Sequence, residues 1–174
     1  MDDELRRKAS GVRMLLFDVD GVLTDGTFER HGSEEVKRFH SRDGIGLVLA
    51  RRAGLKLGLV SGRKSEAVEA RARELSMDFV RLGVSDKLAS VQEAITEAGL
   101  TLEQIAFMGD DLPDLPVLLR AGFSATVRDA PLPVKTRVDY VTRARGGRGA
   151  VREMIELVLA AQGLLDGLVQ TYLE

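Results

Sequence analysis

The sequence predicts an α/β fold of the doubly wound, Rossmann-like kind, in which helices cover both faces of a parallel sheet. Short apolar runs alternate along the chain with stretches whose apolar residues recur at helical spacing. This alternation is typical of consecutive β-α-β units, whose strands are buried on both faces and are therefore apolar throughout. The runs that we interpret as strands are residues 14–17, 57–60, 79–82, 105–108 and 124–127.

The helices between the strands are predicted from apolar residues that share one helical face. Gly99 and Gly122 follow two of these stretches and predict helix C-termini. The last stretch has the clearest stripe. In chain order, the apolar faces are Ile45, Val48 and Leu49; Leu88, Val91, Ile95 and Ala98; Leu115, Leu118 and Leu119; and Val151, Met154, Ile155, Val158 and Leu159.

One segment departs from the alternation of strand and helix. Residues 26–40 contain two short mixed runs around a polar centre, which predicts a β-hairpin after the first strand. We expect His31 and His40 to lie on the surface of this hairpin, since their spacing does not indicate a metal site. Phe28 and Phe39 leave two interpretations open, because they can pack against a neighbouring subunit or against their own core.

Composition limits the classes of function that the chain can have. Its 174 residues suffice for one typical domain, which we expect to span residues 1–174. A formal net charge of −2 gives no overall basic field for nucleic acid, and the lack of cysteine excludes disulfides and thiolate metal sites. We find no secretory signal and no apolar run near the roughly 18 residues that cross a bilayer. We therefore expect a cytoplasmic protein without nucleic-acid or membrane partners, and no chemistry in residues 164–174.

Polar residues follow the predicted strands at the points where they end. Because the carboxyl ends of parallel strands meet at one edge of a sheet, we expect these residues to converge on one site. The site would hold carboxylates, a hydroxyl group and an ammonium group. In strand order, the residues are Asp18, Asp20 and Gly21; Ser61, Gly62 and Arg63; Lys87; and Gly109, Asp110 and Asp111.

The chemistry of this set points to phosphoryl transfer assisted by a metal ion. Carboxylates that crowd together need a compensating cation, and ligands that offer only oxygen favour a hard ion, with Mg²⁺ as the default. A serine at a helix start, its neighbouring amides and a lysine can hold phosphate oxygens. One carboxylate can act as the nucleophile, and a second can move the protons.

The ordered motifs resemble those of the haloacid dehalogenase-like hydrolases. DVDGVLTD (residues 18–25) is similar to their first motif, DxDGxxxD, LVSGR to their second, Lys87 to their third, and MGDDLPD to their fourth. The resemblance implies that Asp18 is the nucleophile and Asp20 the general acid and base. Ser61, Gly62 and Lys87 would bind phosphate, and Asp18, the carbonyl of Asp20 and Asp110 would hold Mg²⁺. Asp111 would act on the metal indirectly, and the roles of Asp25 and Asp114 stay open.

No cap domain fits between the motifs. The segment from Asp18 to Ser61 is filled by the predicted hairpin and a helix, and the segment from Ser61 to Lys87 by a helix and a strand. A phosphoryl-transfer site must still limit access of water. We therefore expect either a large substrate that fills the opening or a second subunit that covers it.

A closer resemblance covers roughly residues 12–163. KRFHSRDGIG, SGRKSEAVEARARELSM and DYVTRARGGRGAVREMIELVLAAQG are similar to segments of a capless, tetrameric family, the 3-deoxy-D-manno-octulosonate 8-phosphate phosphatases. This resemblance implies hydrolysis of that sugar-acid phosphate, in lipopolysaccharide synthesis, by a homotetramer whose neighbouring subunits help to close the active site.

Arginines are the candidates for binding the carboxylate of a sugar acid, because guanidinium pairs with carboxylate through two hydrogen bonds. Arg42, Arg63 and Arg148 are the candidates, and Arg63 is favoured because it follows Ser61. For Arg42 and Arg148 the alternatives are a charge at a helix start or a subunit contact. The glycines within residues 146–149 either form a tight turn or reach toward the active site.

Other functions with similar motifs remain as alternatives. A nonulosonate 9-phosphate phosphatase would have nearly the same sequence pattern, as would the phosphatase-like domain of an acylneuraminate cytidylyltransferase, although no second domain is predicted here. A non-catalytic, receiver-like protein that accepts phosphate lacks the acid and base that Asp20 provides. A dehalogenase would need neither Asp20 nor a metal, and a mutase needs a cap.

Overall fold

The main sheet has six parallel strands in the order β5-β4-β1-β6-β7-β8. The structure is a computed structural model and describes residues 2–32 and 34–173. The strands of this sheet are β1 (Met14–Phe17), β4 (Lys56–Ser61), β5 (Phe79–Leu82), β6 (Ile105–Met108), β7 (Phe123–Thr126) and β8 (Tyr140–Val141). The predicted α/β class with a parallel sheet is confirmed.

Helices cover both faces of the sheet, and a separate two-stranded hairpin follows β1. The hairpin consists of β2 (Glu29–His31) and β3 (Glu34–Val36), which pair antiparallel. Two 3-10 turns span Leu102–Gln104 and Leu112–Asp114. The helices are α1 (Asp3–Ser10), α2 (Ser41–Arg52), α3 (Glu66–Glu74), α4 (Lys87–Ala98), α5 (Leu115–Leu118), α6 (Leu132–Lys135), α7 (Ala150–Ala161) and α8 (Leu165–Gln170).

Strand β1 lies at the centre of the sheet. Met14 pairs with Lys56 of β4 on one side and with Ile105 of β6 on the other, and all four residues of β1 are buried. The predicted bounds of β1, β5 and β6 agree with the structure, and those of β4 and β7 differ by one residue at each end. Strand β8 was not predicted, because two residues are too few to give a periodic signal.

Helix α7 buries its apolar stripe, as predicted. The side chains of Val151, Met154, Ile155, Val158 and Leu159 have no exposed surface, and the helix packs against α1 and α2. Burial of each such side chain contributes about 1.5–3 kcal/mol to the stability of the folded protein. At the end of α4, Gly99 adopts φ +67°, which terminates that helix as predicted.

The predicted apolar face of α2 is wrong in part: Leu49 is buried as predicted, but Ile45 is not. Ile45 is 47% exposed, whereas Leu47 and Ala50 are fully buried. The cause is Gly46, which lies so close to α7 that a Cβ there would be 2.9 Å from Cδ of Arg152. The inner face of α2 therefore includes glycine, which a count of apolar side chains does not detect. In the same way Leu119, predicted to lie on an inner face, is 59% exposed, because α5 is a single turn.

The hairpin and its flanks correct two further expectations. His31 is exposed, as predicted, but His40 is half-buried at the N-cap of α2 rather than on the hairpin surface. Phe39 packs against the core of its own chain, which settles that alternative. Phe28 is 50% exposed and lies next to the cavity described below.

The connections between the strands agree with the expected lack of a cap. Among the residues that the structure describes, only the hairpin and α2 lie between β1 and β4, and only α3 lies between β4 and β5. Helix α8, near the end of the chain, has no buried residue. Within residues 2–32 and 34–173, none of the helices has the length and apolar character that crossing a membrane requires.

Candidate active site

The chain reverses direction directly after β1 and thereby presents two carboxylates. The N–H of Asp18 donates to the carbonyl of Met108 at the end of β6, at 2.9 Å, which extends the sheet by one residue. The carbonyl of Val19 accepts from the N–H of Leu23 at 2.9 Å and holds a tight loop. Because Val19 is buried in the core, Asp18 and Asp20 on either side of it both line a cavity above the sheet.

This acidic cavity, of about 390 Å³, contains most of the predicted site. It lies beyond the carboxyl ends of β1, β4 and β6, where ligands of open parallel sheets bind. Its lining comprises Asp18, Asp20, Gly26, Phe28, Ser61, Gly62, Arg63, Lys87, Asp110, Asp111, Pro113 and Asp114.

Ser61 is placed by β4, which ends on this residue. Its side chain is buried, and its hydroxyl oxygen accepts a hydrogen bond from the N–H of Arg63 at 3.3 Å. Ser61, Gly62 and Arg63 all line the cavity.

Lys87 is the first residue of α4. Asp86 caps this helix by accepting from the N–H of Ala89 at 3.0 Å, which fixes where the helix begins. The Nζ of Lys87 lies 2.9 Å from Oδ1 of Asp18 and 2.6 Å from Oδ1 of Asp114. Burial would lower the pKa of Lys87, but the charges of Asp18 and Asp114 outweigh it and raise the pKa. The group is therefore cationic at neutral pH.

Asp114, whose role the sequence left open, shapes the loop after β6. It is 1% exposed, and its Oδ2 accepts from the N–H of Asp110 at 2.9 Å and of Asp111 at 3.2 Å. Its Oδ1 accepts from Lys87. Both of its oxygens are thus engaged with the protein, and the residue orients Asp110 and Lys87. Asp111 is exposed and caps the 3-10 turn that follows.

Asp110 approaches the loop after β1 so closely that only glycine fits opposite it. Gly21 adopts φ +92°, and a Cβ at this position would lie 2.1 Å from Oδ2 of Asp110. Steric crowding therefore explains the glycine of the DxDG motif. Without a side chain at this position, the carboxylate of Asp110, which follows β6, can reach the residues that follow β1.

The electrostatics of the cavity fit a divalent cation. Carboxylate oxygens of Asp18, Asp110 and Asp114 all lie within 4.8 Å of one another. Burial, followed by the charge of Asp114, raises the pKa of Asp18 to about 6 although Lys87 opposes the shift. Burial, followed by the charge of Asp18, raises the pKa of Asp110 to about 8. The single positive charge of Lys87 does not balance the negative charge of these three carboxylates. A set of ligands made only of oxygens matches hard cations such as Mg²⁺.

The structure does not bring every predicted site residue to the acidic cavity. Within the described part of the chain, Arg42 and Arg148 line a different cavity of about 550 Å³, together with Arg143 and Arg152. The guanidinium of Arg148 lies 3.6 Å from Oδ2 of Asp25. Contact of Arg42 and Arg148 with a substrate therefore stays a prediction, whereas Arg63 lies at the acidic cavity as favoured.

Sequence reasoning missed Lys37, whose side chain is only 1% exposed. Its Nζ contacts Oδ1 of Asp20 and lies 3.3 Å from Oε1 of Glu35. The alternation of Glu35 and Lys37 two positions apart was a usable signal, since such residues share one face of an extended strand. What the alternation did not show is that this face turns toward Asp20.

The glycine segment, residues 146–149, packs against the loop that carries Asp20. A Cβ at Gly146 would lie 1.7 Å from the carbonyl oxygen of Gly21, and the N–H of Gly147 donates to the carbonyl of Val22 at 2.8 Å. Of the two interpretations left open, the structure therefore supports reach toward the site.

Glu153 holds the chain that leads into the glycine segment. Its carboxylate accepts from the N–H of Arg143 at 2.9 Å, the N–H of Ala144 at 3.0 Å and the hydroxyl of Tyr140 at 2.7 Å. Burial would raise the pKa of Glu153, but these hydrogen bonds outweigh it and lower the pKa. Burial and Glu153 raise the pKa of Tyr140 to about 12.

Asp43 ties the start of α2 to the start of α7. It is 1% exposed, and its two oxygens accept from the N–H of Arg152 at 2.8 Å and of Gly149 at 3.2 Å. Burial raises the pKa of Asp43 in spite of these hydrogen bonds. Asp43 thus satisfies N–H groups at the start of α7 that have no partner within that helix.

Comparison with known proteins agrees with this geometry. Residues 71–155 match the model of a family described as haloacid dehalogenase-like hydrolase. The chain is 42% identical over 160 residues to 3-deoxy-D-manno-octulosonate 8-phosphate phosphatase KdsC of Escherichia coli K12, a match that covers 91% of this chain and 85% of that protein. The chain belongs to the KdsC family of haloacid dehalogenase-like phosphatases. The resemblance inferred from the motifs is thereby confirmed, and the chain is an enzyme of the phosphatase class.

Solved structures extend the likeness between this KdsC-family chain and its relatives. The Moraxella catarrhalis 3-deoxy-D-manno-octulosonate 8-phosphate phosphatase, in complex with a magnesium ion, a phosphate ion and KDO, has a TM-score of 0.96 at 36% identity, over 99% of both chains. The cobalt-bound Haemophilus influenzae deoxy-D-mannose-octulosonate 8-phosphate phosphatase has a TM-score of 0.92 at 38% identity, over 96% of this chain and 99% of that one.

Proposed function

We propose that this chain hydrolyses 3-deoxy-D-manno-octulosonate 8-phosphate to the free sugar acid and phosphate, in a Mg²⁺-dependent reaction that passes through a phosphorylated Asp18. The observation that carries the proposal is the convergence of Asp18, Asp20, Lys87 and Asp110 on one cavity in a member of the KdsC family.

In the first step, a carboxylate oxygen of Asp18 attacks the phosphorus atom, and the bond from phosphorus to the sugar oxygen breaks. Asp20 donates a proton to that oxygen as it leaves. The ammonium of Lys87, the hydroxyl of Ser61 and the backbone of Gly62 offer donors to the phosphoryl oxygens, whose charge they stabilise. Lys87, 2.9 Å from Oδ1 of Asp18, also keeps the nucleophile oriented.

In the second step, Asp20 takes a proton from a water molecule, and the resulting hydroxide attacks the phosphorus atom. The bond from phosphorus to Asp18 breaks, and phosphate and the free carboxylate of Asp18 are the products. Asp20 ends the cycle protonated, ready for the next leaving group. Because Asp20 transfers a proton in both steps, the rates of both steps depend on the orientation of its carboxyl group.

The carboxylates of Asp18 and Asp110 and the backbone carbonyl of Asp20 would hold the Mg²⁺ ion. When bound, the ion supplies positive charge that offsets the repulsion among the carboxylates and the charge of the phosphoryl group. The crowding that raises the pKa values of Asp18 and Asp110 supports this assignment.

Further parts of the proposal concern the assembly and its setting. We propose that residues 1–174 form one domain and that the protein is a homotetramer in the cytoplasm, serving lipopolysaccharide synthesis. The lack of a cap over the cavity and the exposure of Phe28 support closure by a neighbouring subunit. Arg63 at the cavity is favoured for binding the substrate carboxylate, and Arg42 and Arg148 are proposed as further contacts.

The proposed function is tested by phosphate release from sugar-acid phosphates. We expect the eight-carbon 8-phosphate to be hydrolysed with a kcat/KM at least about 10-fold above that of nine-carbon nonulosonate 9-phosphates, and only when Mg²⁺ is present. A preference for the nine-carbon substrates would support the alternative phosphatase. Formation of a lasting phosphorylated protein without turnover would support the receiver-like alternative.

A further inference from the structure

Lys37 is a lysine that lies inside the protein rather than in solvent. Its side chain is 1% exposed, although it follows the short, exposed hairpin. Removing an ammonium group from water costs several kcal/mol unless carboxylates compensate it. The compensating groups here are Asp20, which the Nζ contacts directly, and Glu35, whose Oε1 lies 3.3 Å away.

Arg63 lies near the second carboxylate oxygen of Asp20. Its Nε lies 3.7 Å from Oδ2 of Asp20, and its terminal nitrogen donates to Oε2 of Glu35 at 2.9 Å. Its guanidinium carbon lies 3.9 Å from the centre of the Phe28 ring, and Lys37 lies 4.8 Å from the same centre. The two oxygens of Asp20 thus face two different cations, which Glu35 and Phe28 hold in place.

Lys37, the residue directly after the hairpin, supplies the closer of these two contacts. In residues 2–32 and 34–173, the side-chain partners of the Asp20 carboxylate are Lys37 and Arg63, and only Lys37 is within hydrogen-bond distance. Asp114 differs, because backbone N–H groups fix its carboxylate. The orientation of Asp20 therefore depends on a side chain from outside the main sheet.

We propose that Lys37 is a positioning residue for Asp20: it holds the carboxyl group of the general acid and base in the orientation that proton transfer requires. The inference rests on the proposed function and adds a role to the segment that follows the hairpin, which becomes part of the acid and base machinery. Glu35 and Arg63 support it by fixing the position of the Lys37 ammonium and the second oxygen of Asp20.

Two substrates with different leaving groups distinguish a role of Lys37 in positioning Asp20 from a general role in the stability of the fold. A p-nitrophenolate leaving group needs no proton, so formation of the phosphorylated Asp18 from p-nitrophenyl phosphate does not require Asp20. Attack of water in the second step does require it. A sugar phosphate has an alkoxide leaving group, so both of its steps require Asp20. Misplaced Asp20 must therefore affect the two substrates differently.

The experiment compares Lys37→Met and Lys37→Arg with the parent protein, in Mg²⁺, on both substrates. For Lys37→Met we expect kcat on the sugar-acid 8-phosphate to fall about 100-fold. With p-nitrophenyl phosphate we expect a rapid burst of about one equivalent of p-nitrophenolate, followed by slow turnover. Lys37→Arg should recover part of the lost rate, because it restores a cation facing Asp20.

A matched control is Arg38→Met in the same segment. The Arg38 side chain is 81% exposed and pairs with Glu29 rather than with Asp20. We expect this variant to keep the parental rate on both substrates. Equal losses of Lys37→Met on both substrates without a burst, or parental rates, would overturn the inference.

A structural measurement separates this inference from the proposed function. If the parent released no phosphate from either substrate, the proposed function would fail, and crystal structures of the parent and of Lys37→Met would still decide the role of Lys37. One orientation of the Asp20 side chain in the parent and a different or divided orientation in the variant would support it. The same single orientation in both would refute it.

Discussion

The ammonium nitrogen of Lys87 lies 2.9 Å from Oδ1 of Asp18 and 2.6 Å from Oδ1 of Asp114, so one cation joins the end of β1, the start of α4 and the loop after β6. Removing it leaves two buried carboxylates without their shared partner. We expect Lys87→Met to lower kcat roughly 100-fold to 1,000-fold, because the charge on the transferring phosphoryl group loses a fixed donor. Steady-state kinetics against the exposed control Lys56→Met measure the effect, and a parental rate in Lys87→Met would contradict the assignment.

Asp18→Asn tests the nucleophile. The amide has nearly the shape of the carboxylate but does not attack phosphorus, so we expect turnover to be abolished while circular dichroism stays that of the parent. The variant should also unfold at a higher temperature in chelator, because burial and the charge of Asp114 disfavour ionised Asp18 in the metal-free fold. Phosphate release near the parental rate would show that another group attacks.

Magnesium is expected to stabilise the folded protein. An ion that binds only the native state at 100 times its Kd adds about 2.7 kcal/mol to the free energy of unfolding. Thermal unfolding with and without Mg²⁺ should show this gain in the parent and its loss in Asp110→Asn. Glu66→Gln, at an exposed position of α3, should keep the gain. Full activity after thorough chelation would argue against the proposed metal site.

Gly146→Ala tests the contact between the glycine segment and the loop that carries Asp20. The new Cβ would lie 1.7 Å from the carbonyl oxygen of Gly21, so one of the two segments must move. We expect a loss of about 1–3 kcal/mol in the free energy of unfolding and a clear loss of activity. Gly167→Ala, in α8 with open space around it, should be neutral or slightly stabilising in the same urea titration.

Glu153 predicts a pH dependence of stability. Its hydrogen bonds lower its pKa in the folded state below the usual 4.5, so they stabilise the protein fully above that pH. This contribution is lost as the pH falls through the lower folded-state pKa. We expect Glu153→Gln to lower the free energy of unfolding by about 1–3 kcal/mol at pH 7. In acid, where the parent loses the same contribution, the free energies of unfolding of variant and parent should lie closer together. An unchanged difference at pH 7 and pH 3 would contradict this.

The sequence predicted the sheet well because its strands are short and buried, and burial on both faces leaves a plain apolar signature. It predicted most of the cavity for a related reason: the ends of parallel strands meet at one edge, so residues distant in sequence were assigned to one place. Asp18, Ser61, Lys87 and Asp110 lie together as expected.

What the sequence did not predict depends on close approach in three dimensions. Ile45 appeared to lie on an inner face, but Gly46 brings α2 against α7 and turns Ile45 outward. Lys37 had no predicted role, because its contact with Asp20 joins two segments that are distant in sequence. Neither effect leaves a periodic pattern, because each depends on which backbone lies opposite.

The two hydrogen bonds that Asp43 accepts from N–H groups at the start of α7 connect two segments near Asp20. Asp43 lies shortly after Lys37, the residue that follows the hairpin, and Gly149, whose N–H donates to Asp43, ends the segment that packs against Gly21. One buried side chain thus connects the segment that follows Lys37 with the segment that packs against the loop of Asp20. We expect a displacement of either segment to disturb the position of Asp20.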